Sequence, residues 1–572
     1  MNRITILKVG LIAAFAIIGI RLFQIQIIDH DEYVAAAESE HTRKFELLAQ
    51  RGEIYMLDGE DVTPVVMNET VWTVFIDPSY VGDKDKVQAK LTEILGEKID
   101  KKWTDVWSDM DRQYYEVAKN VTYNEITEVK AANLKGVGQK ESSRRVYPYG
   151  SFASQVLGFV NAENVGSGVE GGLNSELSGT NGLLKTVADV NNIPLTIGDN
   201  NVRIPAVNGK NIALTIDENV QRAAEKALET ALAKDSITAV SALVVNPNNG
   251  QIYAMANLPG YEPEKYSTVT DTSVFRNRIL DDPYEAASVC KTFTYAAAID
   301  GGYIKPSDTY TNTGSTKVDD RTIQNARYSA QYGEISFSTA LNHSLNTGSV
   351  EVLRRMGGGT INKASRNLLY DSFYNKFGLG RATGIELYEA AGIVISPEEV
   401  QGNAVRYANM TFGQGMNVTM MQTAAAFSSV INGGDYYTPT LVAGEVVNGT
   451  LVKVDEKGPV RQTISAETSK TMREMLIGVR SVVGNGNDPK GYIVGVKSGT
   501  AETYDENGNY TSDKTIASMV GFGGANDDSL PQYVVMVRVE GDKLLWGSVD
   551  AEPIFTEISN FMLEYLKIKP KG

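Results

Sequence analysis

Ser288-Val289-Cys290-Lys291-Thr292-Phe293-Thr294-Tyr295-Ala296-Ala297-Ala298-Ile299 sets a serine and a lysine three apart at the head of a run that reads as a buried helix. Residues three apart are neighbours on a helix, so the Lys291 amine is expected within hydrogen-bond reach of the Ser288 hydroxyl. Burial disfavours an ammonium group and leaves a neutral amine able to act as a base. The chain has three histidines, His30, His41 and His343, and the first two flank an apolar amino-terminal segment. A serine-histidine-acid triad therefore has almost no material, and a lysine is the remaining route to an activated serine. His343 adjoins Ser344, but adjacent residues on a chain point apart. Cys290, between the serine and the lysine, reads as a small buried hydrophobe and not as a redox group.

Two further motifs surround this one. Lys497-Ser498-Gly499-Thr500 falls within a predicted edge strand, Ile493 to Ala501, where Gly499 leaves room for a substrate backbone to pair alongside. A second lysine there would help to keep Lys291 neutral and would attract a carboxylate. Between the two lies Ser344-Leu345-Asn346, a hydroxyl and an amide two positions apart in a loop before Thr347-Gly348, suited to relaying a proton and gripping an amide. Ser365-Arg366-Asn367 has the same Ser-x-Asn form but sits in a charged helical stretch.

The flanking elements suggest how these pieces meet. Asp217 can cap a helix running through Ala233, with Val220, Ala224, Leu228 and Leu232 along one face. Thr238 to Val245 and Gln251 to Ala256 read as strands joined by the turn Asn246-Pro247-Asn248-Asn249-Gly250. A second strand pair, Ile493 to Ala501 with Ile516 to Gly521, precedes Tyr533 to Val539 and a closing helix, Pro553 to Leu566. Strands at both ends with helix-rich sequence between them predict an α+β domain around one antiparallel sheet. Upstream, Val71 to Ile76 reads as a strand, Lys84 to Ile99 as a helix, and Glu32 to Leu48 as a helix or extended stalk. Gly166 to Gly182 and Gly198 to Gly209 are loop-like, and a domain border is placed near residue 205.

With 572 residues, 54 Lys plus Arg and 70 Asp plus Glu, the net charge is −16, a poor match for nucleic acid. One cysteine forbids an intramolecular disulfide and a cysteine-rich zinc site, and no metal or cofactor is expected. Val9 to Ile20 is uninterruptedly apolar but covers only about 18 Å at ~1.5 Å per residue. Extension back to Ile4 or forward to Ile28 gives a single membrane span. Arg3 and Lys8 before it, against Asp29, Asp31 and Glu32 after it, keep the amino terminus cytoplasmic and the bulk of the chain outside. Ala14-Phe15-Ala16 has the small-x-small form of a signal cleavage site, but cleavage there would leave too short an apolar core, so an uncleaved anchor fits better.

The trio of Ser-x-x-Lys, Ser-x-Asn and Lys-Ser-Gly, in this order, resembles the penicillin-binding protein and serine β-lactamase set. The whole chain is similar to a class B penicillin-binding protein. Arg51-Gly52-Glu53-Ile54, Arg145-Val146-Tyr147-Pro148, Gly168-Val169-Glu170 and Leu177-Ser178-Gly179 resemble pedestal-domain motifs of that family. Leu214-Thr215-Ile216-Asp217 with Gln221, Asn246 to Pro259 and Gln422 to Pro439 resemble transpeptidase segments. Leu341 to Gly348 matches the family's local context, which favours Ser344 over Ser365. Glu285-Ala286-Ala287 stands where the family usually has Pro-Gly before the nucleophile, Tyr55 to Gly59 replaces Asp-Arg-Asn-Gly, and Ser498 replaces a threonine.

The resemblance implies an anchor over residues 1–30, a pedestal (dimerisation-type) domain over 31–205 and a penicillin-binding transpeptidase domain over 206–572. It implies peptidoglycan D,D-transpeptidation, by lean at the septum. Ser288 would attack the penultimate D-alanine of a D-Ala-D-Ala stem peptide, and Lys291 would take its proton. Ser344 would pass that proton to the leaving amine and Asn346 would hold the acyl amide. Lys497, Ser498 and Thr500 would bind the terminal carboxylate beside Gly499. The backbone N–H groups of Ser288 and Thr500 would receive the oxyanion. β-Lactams would imitate the substrate, and a separate glycosyltransferase and other wall-synthesis or division proteins would be partners. A β-lactam-hydrolysing or β-lactam-sensing protein and an inactive wall-synthesis scaffold are the competing readings.

Overall fold

Val534-Val535-Met536-Val537 and Leu243-Val244-Val245 are apolar on consecutive positions, so strands built from them must be covered on both faces. The computed structural model describes residues 2–30, 33, 42–161, 163–187, 202–326, 331–484, 487–504 and 510–571. In it these runs form the middle of a five-stranded antiparallel sheet ordered Ile252–Leu258, Ile237–Val245, Tyr533–Gly541, Tyr510–Ala525, Tyr492–Tyr504. Helices Glu218–Leu232 and Glu552–Tyr565 pack together against the sheet, and Lys291–Asp300, Met420–Ile431 and Ala466–Val483 form a second mutually packed group against it. The expected cap is present: the Asp217 carboxylate accepts from the backbone N–H groups of Asn219 and Val220. The fold is thus the mixed α+β arrangement read from the sequence.

The second large sheet joins regions far apart in the chain. Its order is Thr450–Lys453, Val442–Val447, Ile212–Asp217, Ile54–Asp58, Asp61–Ile76, Tyr115–Val121, and Val137–Val146 also pairs with Asp61–Ile76. Ile212–Asp217, buried along its whole length, pairs parallel with Ile54–Asp58 and antiparallel with Val442–Val447. Asp61–Ile76 is longer than the expected Val71 to Ile76 because Pro64 is accommodated opposite Tyr55, where the ladder shifts register. The helix expected over Lys84 to Ile99 stops at Leu95, where Gly96 turns to φ +52.

Residues 53–177 and 211–572 form one compact unit, while 1–52 with 178–210 form another. In the smaller one, Arg3–Phe23 is an α-helix prolonged through Ile28, long and apolar enough to cross a membrane. Of the stretch read as a helix or stalk, Thr42–Leu47 is a strand paired with Gly182–Val187, which pairs in turn with Val202–Ile204. Most of the rest of that stretch, like residues 198–201 of the second loop-like segment, lies outside the described residues.

Two of the pedestal motifs meet in one ion pair. The Arg145 Nε donates to the fully buried Glu170 carboxylate at 2.8 Å, Arg145 Nη1 donates to Asn68 Oδ1 at 2.8 Å, and the Tyr147 hydroxyl donates to the same carboxylate oxygen at 3.3 Å. Removing one partner would strand a buried charge, which costs about 3–5 kcal/mol, whereas exposed pairs contribute about 0–1 kcal/mol. Glu170→Ala is expected to destabilise the protein by about 3 kcal/mol or more in equilibrium denaturation, and Lys363→Ala, at the exposed Lys363–Glu398 pair, by less than about 1 kcal/mol. Equal, small effects would show that the Arg145–Glu170 pair holds nothing together.

Candidate active site

Ser288 lies in a tight 3-10 turn, Ala287–Cys290, that runs directly into the helix Lys291–Asp300. The helix is buried on nearly every side, which carries the Lys291 side chain into the protein with no exposed surface. Its amine does not hydrogen-bond to Ser288. It donates instead to the Ser344 carbonyl at 2.5 Å and to Asn346 Oδ1 at 2.8 Å, and its nitrogen lies 3.2 Å from the Ser344 hydroxyl oxygen. Lys497, also fully buried, donates to the same Ser344 hydroxyl at 2.9 Å and to the Ser498 carbonyl at 2.9 Å. A single hydroxyl separates the two amines.

Burial first, and that closeness second, set their charge. Burial, and after it the neighbouring Lys497, holds the Lys291 amine well below the ordinary lysine range. Burial brings Lys497 down to about 7. Two ammonium groups one hydroxyl apart in a dry pocket repel each other strongly, so Lys291 is the one that stays neutral near pH 7. The Cys290 thiol beside them is pushed up to about 12 by burial, with Glu285 adding to the effect, so it offers no thiolate.

Ser344 is held in a left-handed conformation, φ +55, between the helices Phe337–Asn342 and Asn346–Met356. This strained turn aims its carbonyl at Lys291. Asn346 is fixed from both ends, since its Nδ2 donates to the Gln324 carbonyl at 2.9 Å while its Oδ1 receives Lys291. Ser365 serves elsewhere: its side chain and that of Asn362 cap the helix Lys363–Tyr370 reciprocally. The structure brings Ser344 and Asn346, and not Ser365 and Asn367, to Lys291.

The third motif forms the outer edge of the five-stranded sheet, within Tyr492–Tyr504. Alternation puts Lys497 and Gly499 on one face and Ser498 and Thr500 on the other. A Cβ at Gly499 would lie 2.7 Å from the Ala286 carbonyl and 3.2 Å from a Val289 methyl, so only glycine lets the strand close on the turn bearing Ser288. Ser498 and Thr500 stay partly exposed, and the Thr500 hydroxyl accepts from the Gly547 N–H at 3.2 Å.

A second scaffold was not evident in the sequence. Tyr284 pairs with Val418, the Ala287 N–H donates to the Gly413 carbonyl at 3.2 Å, and the Gly415 N–H donates to the buried Glu285 carboxylate at 2.7 Å. These bonds strap the approach to Ser288 onto the loop at 413–418. Ala287 sits at φ +47, a left-handed conformation that favours glycine, so the alanine here is held under strain. The pair Gly413-x-Gly415 was the available signal, because two glycines two apart between helical segments mark a close backbone approach. Among the described residues, no group of three or more His, Cys, Asp or Glu side chains is placed to hold a metal ion.

Residues 240–560 match the penicillin binding protein transpeptidase domain, and residues 46–214 match the penicillin-binding protein dimerisation domain. Stage V sporulation protein D of Bacillus subtilis is 31% identical over 98% of this chain and 85% of that protein. Peptidoglycan D,D-transpeptidase FtsI of Escherichia coli is 26% identical over 99% and 92%. Among solved structures, a peptidoglycan synthetase from Bifidobacterium adolescentis shares the fold with a TM-score of 0.71 at 23% identity, covering 93% of this chain and 98% of that one. Penicillin binding protein 3 from Mycobacterium tuberculosis, complexed with aztreonam, shares it with a TM-score of 0.67 at 21% identity, covering 92% and 98%. With both domains matched in order along nearly the full length, this chain belongs to the class B penicillin-binding proteins.

Proposed function

We infer that this chain is a peptidoglycan D,D-transpeptidase of cell-wall synthesis that binds β-lactams, and we propose that it works through an acyl-enzyme on Ser288. The observation that carries the mechanism is the pair of fully buried lysine amines sharing the Ser344 hydroxyl beside the Ser288 turn. A neutral Lys291 takes the Ser288 proton as the oxygen attacks the penultimate D-alanine carbonyl. The amine starts this step engaged with Ser344 and Asn346, and substrate binding draws it to Ser288, as catalytic hydrogen bonds commonly tighten only in the complex. Ser344, in contact with both amines, carries the proton to the departing D-alanine nitrogen. Lys497 as ammonium, with Ser498 and Thr500, attracts the substrate's terminal carboxylate. The Ser288 and Thr500 N–H groups receive the developing oxyanion, and Gly499 gives the substrate backbone access to the strand edge. Asn346 meets the acyl amide.

Anchoring by the helix Arg3–Ile28 fits a reaction at the outer membrane face, with Arg3 and Lys8 on the cytoplasmic side. A separate glycosyltransferase supplies the glycan strands, and the septum is the proposed place of action. Depletion that produces filaments supports a septal role, whereas rounding assigns the protein to side-wall growth.

A fluorescent penicillin is expected to label the protein stably, and Ser288→Ala to abolish the label while leaving the fold intact. Rapid turnover of the label would favour a hydrolase, and no label on the unaltered chain an inactive scaffold. Lys291→Ala is expected to slow acylation by about 10²–10⁴-fold at neutral pH, and an unchanged rate would remove it as the base. Because Lys497 sheds its proton near pH 7, the second-order rate constant of penicillin acylation is expected to fall as pH rises above that value. A profile flat from pH 6 to 9 would take Lys497 out of carboxylate binding.

A further inference from the structure

A neutral amine has two N–H groups and one lone pair. At Lys291 both N–H groups are taken, one by the Ser344 carbonyl at 2.5 Å and one by Asn346 Oδ1 at 2.8 Å. The lone pair is then left for a hydroxyl, and the Ser344 oxygen lies 3.2 Å away. Which end of the Asn346 amide faces Lys291 therefore decides where the base points. With the amide turned over, its Nδ2 would meet the amine as a donor and occupy the lone pair. The orientation is fixed from outside, because Nδ2 donates to the Gln324 carbonyl at 2.9 Å.

Gln324 ends a hairpin in which Ser315–Val318 pairs with Arg321–Gln324. The hairpin is seated on the helix Asn346–Met356: its buried Val318 and Ile323 pack with Val350, and the Arg354 guanidinium donates to the Thr316 hydroxyl and the Lys317 carbonyl, both at 2.8 Å. The next residue, Asn325, reaches the helix start. Its Oδ1 accepts from the Thr347 N–H at 2.9 Å. The helix has Leu345 at its cap position and no capping side chain of its own, so the acceptor comes from a residue 22 positions upstream. Asn325 is itself held, since its backbone N–H donates to the Gly314 carbonyl at 3.0 Å and its Nδ2 to Asn312 Oδ1 at 3.1 Å. The buried Asn312 oxygen also receives the Thr347 hydroxyl at 3.0 Å and the Gly314 N–H at 3.0 Å. One amide thus ties the base of the hairpin to the second residue of the helix.

Resting on the transpeptidase reading, we propose that Asn325 is a positioning residue for the acylation step: backed by Asn312, it caps the helix from a separate element and holds the Gln324 carbonyl where it keeps the Asn346 oxygen turned to Lys291. Asn325 acts at one remove, for its own bonds go to Thr347, Asn312 and Gly314. Without it the Thr347 N–H loses its acceptor, the first turn of the helix loosens and the Asn346 amide is free to turn. The lone pair of Lys291 then no longer aims at a hydroxyl, although every reacting side chain is still present.

The test follows acylation of the full-length chain in detergent by a fluorescent penicillin, with saturation kinetics separating non-covalent binding from the bond-forming step. Asn325→Ala is expected to slow bond formation about tenfold and to leave the half-saturating penicillin concentration within about twofold. Asn325→Asp keeps the acceptor for the Thr347 N–H and gives up the bond to Asn312, so its rate is expected to fall between those of Asn325→Ala and the unaltered chain. The deciding measurement is a double-substitution cycle with Asn346→Ala, which already removes the amide that Asn325 positions. In that background Asn325→Ala is expected to slow the step by no more than about twofold further. A full tenfold loss there, or no loss in the chain that keeps Asn346, would overturn the positioning role. Should Asn325→Ala fail to fold, Asn325→Asp carries the same cycle, and a loss that persists beside Asn346→Ala would overturn it equally. An unaltered chain that takes no penicillin would instead sink the transpeptidase reading.

Discussion

Two lysine amines buried around one serine hydroxyl are the constraint on which this structure turns. Water would keep both charged, and only the close packing of the Lys291–Asp300 helix, the Ser344 turn and the Tyr492–Tyr504 strand keeps water away. The arrangement is costly to hold. Ser344 at φ +55 and Ala287 at φ +47 are both in a region that side chains avoid, at about 1–2 kcal/mol each. The surrounding sheet and helices must offset that strain, and their apolar strand interiors supply the burial to do so.

The parts of this arrangement that depend on local pattern were legible in the sequence. The helix capped by Asp217, the Asn246–Gly250 turn and the placing of Lys497–Thr500 on a sheet edge all follow from periodicity, capping and turn chemistry. The family resemblance brought Ser344 forward over Ser365, and in the structure it is the carbonyl of Ser344 that receives the Lys291 amine. Spacing alone misled at one point. Three residues along a helix put Lys291 near Ser288, but a buried amine turns to the strongest acceptors within reach, and the strained Ser344 carbonyl and the Asn346 amide outcompete a hydroxyl. Which acceptors those are depends on residues more than fifty positions away, which no local pattern encodes.

The departures from the family pattern also acquire physical meaning. With alanine in place of glycine before the nucleophile, the backbone keeps its left-handed turn because hydrogen bonds to Gly413 and Gly415 hold it there. The motifs around Arg145 and Glu170, far from the reacting groups, are explained by a buried ion pair that needs both members. The acidic excess of the chain says nothing of the site itself, which is built around two buried lysine amines.

The ladder that joins Ile54–Asp58 to Ile212–Asp217 and Val442–Val447 has a temporal consequence. A ribosome works from the amino terminus at about 5–20 residues per second, so the first of these strands exists for tens of seconds before the last is made. Through that interval a nascent apolar edge stands open to the wrong neighbour, and a holding factor that shields it would govern the yield of native protein.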